Sequence, residues 1–199
     1  MSLPPPDYLA PYIAAAKVHG GAFPTLLWAS PATQQVRFEA LLRLARFHGV
    51  KVLDVGCGRA DLLDFLRSRG IEPAEYIGIE AVPELADAAA RTGARVLRVD
   101  FVAEPRRLYM GCELLVISGS LNTAKDIAFY DTLRRAYDAC GSAVVFNFLC
   151  DPTLAGAPHL YYRPLDVVLR YCRGFCRDVR HLADYLPGDA TVGLFKSHP

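Results

Sequence analysis

From residue 50 onward, short unbroken runs of apolar residues alternate with stretches where apolar residues recur every three or four positions. The unbroken runs read as strands covered on both faces, and the spaced stretches as helices with one apolar side. The pattern predicts strands over Val52–Val55, Tyr76–Glu80, Arg95–Val99, Glu113–Ser118 and Ala143–Leu149. Interleaved with them it predicts helices over Leu62–Arg69, Pro83–Arg91, Lys125–Ala139 and residues 164–173. Gly70 stops the first of these helices. Pro83 and Glu84 suit the first turn of the second, and Arg91 and Gly93 mark its end. Another helix, Thr33–His48, precedes the first strand. There Phe38, Leu41, Leu42 and Ala45 share a face, Glu39 can pair with Arg43, and Gly49 closes the turn.

Strands and helices in alternation specify an α/β chain with a doubly wound, mostly parallel sheet and right-handed crossovers. The last segment breaks the alternation. A strand-like run at 175–185 meets Leu186-Pro187-Gly188-Asp189, and an apolar run at 190–196 returns. Pro-Gly suits the two central positions of a type II turn, so an antiparallel strand pair is expected to close a seven-stranded sheet. Ahead of all this, residues 1–24 carry Pro4, Pro5, Pro6 and Pro11 and the step Gly20-Gly21. They read as a loosely structured arm with one short helix over 8–18. The division expected is an arm over 1–32 and a single domain over 33–199, with no internal repeat.

Composition narrows the class. A chain of 199 residues with 52% hydrophobic and 22% charged residues is an ordinary globular protein rather than a disordered one. A net charge of +1 provides no field for a nucleic-acid backbone, so no nucleic-acid partner is expected. No apolar run approaches the roughly 18–20 residues of a membrane span, so no membrane partner is expected either. The start, Met1-Ser2-Leu3-Pro4, lacks the basic and apolar regions of a secretion signal. Cysteines at 57, 112, 140, 150, 172 and 176 read as reduced thiols in a cytoplasmic protein. Cys172 and Cys176 lie one helical turn apart, but no second Cys/His pair has partner spacing, and no metal is expected.

The chemistry concentrates at Val52-Leu53-Asp54-Val55-Gly56-Cys57-Gly58. A strand, a tight glycine turn and a helix N-terminus follow one another there. Glycine lets a ligand approach the backbone, and the helix start supplies free N–H groups. Two cofactor types use such a turn. The dinucleotide fingerprint G-x-G-x-x-G would place its third glycine at Asp61, whose carboxylate would face a pyrophosphate; that weighs against NAD or FAD. No G-x-x-x-x-G-K-[ST] loop is present. S-adenosylmethionine has no phosphate, and wants acidic groups near its amino and ribose groups. Asp54, Glu80 and Asp100 fall at the C-terminal ends of the first three strands, the edge where open α/β sheets bind ligands. Glu80 suits the ribose hydroxyls. Asp100, with Phe101 next to it, suits the adenine.

These motifs resemble the class I S-adenosylmethionine-dependent methyltransferases. Val-Leu-Asp54-Val-Gly56-Cys57-Gly58 is similar to their first motif, Ile-Gly-Ile-Glu80 to their second and Val-Asp100-Phe101 to their third. Ser118-Gly119-Ser120-Leu121-Asn122 falls where their fourth lies. Over about residues 50–199 the resemblance implies a Rossmann-like methyltransferase fold, S-adenosyl-L-methionine as cofactor and methyl transfer as the reaction. Outside that core the chain is similar to small stand-alone bacterial members. They carry a Trp-x-Ser and a Gln-x-Arg-Phe segment before the first strand, here Trp28–Ser30 and Gln35–Phe38, and end in a hairpin like Asp184–Pro187. The third glycine of the usual first motif is Ala60 here, expected to be a mild change because that position serves close helix packing.

The cofactor contacts so implied are Asp54, Gly56, Cys57, Gly58, Glu80, Ala81, Asp100, Phe101, Ser118 and Gly119. Arg37 is a candidate for a bidentate pair with the methionyl carboxylate, or else an exposed helix arginine. Trp28 is a candidate lid or a core residue. The insert Asp151–Pro164 is expected to lie over the same edge if the topology is as read, where such loops set substrate choice. Within the insert and the fourth motif, Asn122, His159 and Tyr161 are candidates for the chemistry. The fourth motif lacks an Asn/Asp-Pro-Pro-Tyr/Phe sequence, which disfavours methylation of exocyclic amino groups and favours a small-molecule acceptor. Two alternatives stay open: a non-catalytic S-adenosylmethionine-binding module, and an NAD-linked oxidoreductase. Neither the acceptor nor the oligomeric state is set by these residues.

Overall fold

A computed structural model describes residues 6–151 and 157–197. Seven strands form one sheet in the order β3-β2-β1-β4-β5-β7-β6: β1 Lys51–Val55, β2 Glu75–Glu80, β3 Arg95–Arg98, β4 Leu114–Ser118, β5 Ala143–Leu149, β6 Asp178–Leu182 and β7 Asp189–Phe195. The first five run parallel, and β7 lies antiparallel between β5 and β6. The helices are α1 Ala10–His19, α2 Pro31–Leu44, α3 Asp61–Ser68, α4 Pro83–Arg91, α5 Asp126–Ala139 and α6 Leu165–Arg173. The strand order runs outward from β1 to β3 and restarts at β4 beside β1. A crevice therefore opens at the C-terminal ends of β1 and β4, the switch point where such sheets take ligands.

Alternate strand residues feed opposite faces. Leu53, Val55, Ile77, Ile79, Leu115 and Ile117 pack under α5 and α6, against Phe129, Leu133 and Val168. Val52, Tyr76, Leu114 and Val116 pack under α2 and α3, against Phe38, Leu41, Leu62 and Leu66. Both faces of the central strands are thus apolar, which is why their sequences read as continuous runs. A third, separate cluster joins the arm to α4 through Ala16, Leu26, Val82 and Leu85.

The expected order of elements is present, with shifted boundaries. The helix expected over 33–48 spans Pro31–Leu44. Ser30 caps it by accepting the Thr33 N–H, Pro31 fits the first turn, and Ala45 is extended at the far end. The chain leaves the helix there because Phe47 is buried against the α2/α3 layer, off the helical path. Gly49 belongs to the turn into β1, where its N–H donates to Glu72 O. The strand expected over 175–185 is shorter, because Cys176 is still bonded to Cys172 O in the exit from α6. The Pro187-Gly188 turn matches expectation: Gly188 has φ +75, and Asp189 N donates to Leu186 O. Two 3-10 turns, Phe23–Leu26 and Pro105–Leu108, have no counterpart in the sequence reading. All six cysteines are free thiols, and five of them, Cys172 and Cys176 included, are buried. No helix among the described residues is long and apolar enough to cross a membrane.

Candidate functional site

A cavity of about 530 Å³ lies over the C-terminal ends of β1, β2, β4 and β5, within the roughly 300–1,000 Å³ usual for small-molecule sites. Gly56, Gly58, Glu80, Ala81, Asp100, Phe101, Ser118, Gly119 and Asn122 line it, together with Trp28 and Arg37. The sequence motifs thus converge on one space.

The glycine turn shows why Gly is needed. Gly56 has φ +74, and a Cβ there would sit 2.4 Å from Ser120 Cβ. Gly58 has φ +56, and a Cβ there would sit 2.5 Å from Leu26 Cδ2. The close approach is made here by the protein's own side chains, one from the loop after β4 and one from the arm. Ala60, expected to be a packing position, turns out to be a conformational one as well: it caps α3 with φ +61, in the left-handed region.

Glu80 closes β2 and is buried at the cavity wall. Its Oε2 accepts the Gly58 N–H at 2.9 Å and its Oε1 accepts the Val82 N–H at 2.8 Å. Burial pushes its carboxyl up to about 7, against the pull of those donors. Asp54 stands behind the turn rather than in the cavity. Its carboxylate accepts the Tyr76 hydroxyl, and burial pushes it up to about 7 as well. Cys57 also turns away from the cavity, packing its Sγ over Gly78, and burial raises its thiol. Asp61 opens α3, accepts Gln34 Nε2 at 3.2 Å and lies 3.6 Å from Arg59 Nε.

Asp100 is engaged by the protein itself. Its Oδ1 caps the next turn through Val102 N and Ala103 N, and its Oδ2 accepts the Tyr8 hydroxyl at 2.6 Å. The arm is further tied down by Thr123 Oγ1 donating to Tyr8 O at 2.9 Å. Tyr12 is half-buried in the cavity wall, where desolvation of its hydroxyl and the nearby Glu80 charge push that hydroxyl up to about 12.

Arg37 is neither an exposed arginine nor free to pair with a ligand through its Nε edge. Nε and Nη2 bind Asp189 Oδ1 and Oδ2 at 2.6 and 2.5 Å, and the guanidinium stacks 4.6 Å from the Trp28 ring centre. The bidentate geometry foreseen for Arg37 is present, but its carboxylate comes from β7. Asn122 lines the cavity while its Oδ1 accepts Leu149 N at 3.3 Å and its backbone O accepts Tyr161 N at 2.7 Å. His159 and Tyr161 are not among the lining residues. Of the tyrosine pair, it is Tyr162 that turns in. That turn is held by Arg163, buried over Phe129, with Nε on Asp126 and Nη2 on Ala124 O. Residues 152–156 of the insert lie outside the described residues.

No family model matches the chain. One curated relative, named "Putative methyltransferase Rv1506c" from Mycobacterium tuberculosis, is 28% identical over 154 residues, spanning 72% of this chain and 92% of the relative. Among solved structures, DhpI in complex with SAH superposes with a TM-score of 0.68 at 14% identity, over 97% of this chain and 96% of that one. An S-adenosylmethionine-dependent methyltransferase from Leishmania major reaches 0.72 at 13% identity, over 95% and 83%. Magnesium protoporphyrin IX methyltransferase (ChlM) from Synechocystis PCC 6803 with bound SAH gives 0.63 at 10% identity, over 83% of each chain. The chain has the class I S-adenosylmethionine-dependent methyltransferase fold.

Within that methyltransferase fold, several lining residues were not singled out as site residues by the sequence: Tyr8, Tyr12, Leu26 and Asp189. Each lies in the arm or the closing hairpin, far along the chain from the glycine turn. The one available hint was the hairpin segment Asp184–Pro187, which stops two residues short of Asp189.

Proposed function

We propose that this chain transfers a methyl group from S-adenosylmethionine to a small-molecule acceptor. The observation that carries the proposal is Glu80: a buried carboxylate at the end of β2, joined to the Gly58 N–H and open to a cavity large enough for a nucleoside. A carboxylate so held accepts further hydrogen bonds on its remaining lone pairs, which suits the two hydroxyls of a ribose. In this reading Gly56, Gly58, Ala81 and Phe101 shape the nucleoside end, and Ser118, Gly119 and Asn122 line the way to the acceptor. Asp54 and Cys57 act from behind the turn, Asp54 by anchoring β1 to β2 through Tyr76. Asp100 and Tyr8 together border the adenine end. S-adenosylmethionine, when bound, supplies a methyl group on a sulfonium that is already activated for displacement. The protein's task is then to position the acceptor and exclude water.

Two rivals are weaker. For a dinucleotide, Asp61 at the first turn of α3 would set a carboxylate against the pyrophosphate. For a non-catalytic module, the space past Ser118 should be filled by side chains. Instead the cavity runs on to Leu149, Leu160, Tyr162 and Leu186. The described part of the arm, from residue 6 to Ser30, serves as a roof to the domain, and the six free thiols suit a cytoplasmic protein. Calorimetry with S-adenosylmethionine, S-adenosylhomocysteine and NAD tests the reading. Binding of both sulfur ligands, lost in Glu80→Ala, is the expected result; binding of NAD alone overturns it.

A further inference from the structure

The sheet order separates the two ends of the cavity. Glu80 closes β2 and Asp100 follows β3 on one side of β1, whereas Ser118, Leu149 and Asp189 stand on β4, β5 and β7 on the other. The second end has walls of Trp28, Leu149, Leu160, Tyr162, Leu186 and Pro187. Into this apolar surround comes one charged pair. Asp189 begins β7 directly opposite Leu149, and both its oxygens are held by Arg37. The two side chains are 4% and 12% exposed, and both border the cavity.

A buried ion pair is a weak source of stability, because removing two charges from water offsets most of their attraction. What the paired forks do provide is orientation: the carboxylate is fixed in plane, with lone pairs left over for a third group. The pair has no net charge, so this end offers no free cation to hold a carboxylate or phosphate. Among the described residues that line this end, Asp189 is the one carboxylate. Burial raises its carboxyl from its ordinary value, against the opposing pull of Arg37. A carboxylate removes a proton effectively only from a moderately weak acid. A phenol, near 10 like tyrosine, is within reach, and an aliphatic alcohol is not.

Building on the methyltransferase reading, we propose that Asp189, oriented by Arg37, is the general base for a neutral, largely apolar acceptor bearing a phenol-type hydroxyl. The acceptor oxygen bonds to the methyl carbon as the carbon–sulfur bond breaks and its electron pair leaves with sulfur. The hydroxyl proton passes to Asp189 and then to solvent. Trp28 and Tyr162 flank the ring of the acceptor.

Two probes of similar shape and different charge test this, 1-naphthol and 1-naphthoate. With S-adenosylhomocysteine present, 1-naphthol is expected to raise the melting temperature further and 1-naphthoate is not. With S-adenosylmethionine, 1-naphthol is expected to gain a methyl group on oxygen. Asp189→Asn should keep the shift given by S-adenosylhomocysteine and slow methylation by at least about a hundredfold, the rate recovering as rising pH ionises the naphthol. If Asp189→Asn alone leaves Arg37 unpaired and the fold weakened, the double variant Arg37→Gln/Asp189→Asn keeps a neutral hydrogen-bonded pair and should behave the same. Preference for 1-naphthoate, no stabilisation by either probe, or an undiminished rate in these variants overturns the proposal. A wild-type protein that S-adenosylhomocysteine fails to stabilise overturns the methyltransferase reading instead.

Discussion

Glu80 accepts the backbone N–H of Gly58 at 2.9 Å, so the end of β2 holds the glycine turn that follows β1. The same carboxylate uses its second oxygen for Val82 N. Glutamine has one carbonyl oxygen and cannot serve both donors without stretching one bond. Glu80→Gln should therefore cost about 1–3 kcal/mol of stability and lower the melting temperature by several degrees. It should also weaken S-adenosylhomocysteine binding by at least about tenfold. Chemical denaturation and calorimetry on the same variant read the two effects separately.

The acidity of the two buried carboxylates sets a pH dependence. Asp54 and Glu80 are pushed up to about 7 by burial, from ordinary values near 4. A carboxyl whose folded value is raised favours the folded state in its protonated form. Its contribution is complete below about pH 4 and is lost as pH rises to about 7. The ligand-free protein should thus lose stability from these groups between about pH 4 and 7. Asp54→Asn should flatten that part of the profile, since Asn still accepts the Tyr76 hydroxyl. Binding of a ligand that donates to ionised Glu80 should tighten over the same interval. Melting curves for wild type and Asp54→Asn across this range, with and without S-adenosylhomocysteine, give the comparison. Identical slopes for the two proteins would sink the assignment.

Leu26 lies where a Cβ on residue 58 would go, at 2.5 Å. Gly58→Ala should destabilise by at least about 2 kcal/mol, part from the contact and part from φ +56. In a Leu26→Ala background the contact part should vanish and the backbone part remain. A double-mutant cycle should show a coupling of about 0.5–2 kcal/mol. Zero coupling would mean that the arm does not rest on the turn in solution.

Ala60 holds φ +61 at the start of α3. Ala60→Gly relieves a left-handed backbone costing about 1–2 kcal/mol, and loses about 0.5–1 kcal/mol through the freer unfolded chain. A net gain of about 0.5–1 kcal/mol is expected, seen as a melting temperature higher by about 1–4 °C. A lower value would show that the buried methyl group of Ala60 matters more than the backbone.

The elements of the domain were legible because each is decided locally. Val52–Val55 and Ala143–Leu149 are apolar almost without interruption, and Pro83, Gly93 and Pro187-Gly188 punctuate at positions their own backbones require. The end of α2 was not legible. Phe47 leaves the helical path to reach a core surface made by strands that come later in the chain. The site divides in the same way. Gly56, Gly58 and Glu80 fall at strand ends, and a parallel sheet brings those ends to one edge whatever the side chains are. Asp54 and Cys57 were placed in the cavity by their motif, yet both face the α2/α3 side with Tyr76: Asp54 by alternation with Val52, and Cys57 because Gly56 at φ +74 breaks the alternation.

The sequence by itself therefore determined the alternation, the direction of the strands and the edge at which the cavity opens, because those follow from periodicity and turn chemistry within a few residues. Only the tertiary structure decided that Asp189 meets Arg37, that Tyr8 meets Asp100 and that Leu26 covers Gly58. These partners lie 152, 92 and 32 positions apart, as 189 − 37, 100 − 8 and 58 − 26. Contacts over such spans carry no local signature; they exist because the closing hairpin and the arm both pack back over the edge where β1 and β4 part.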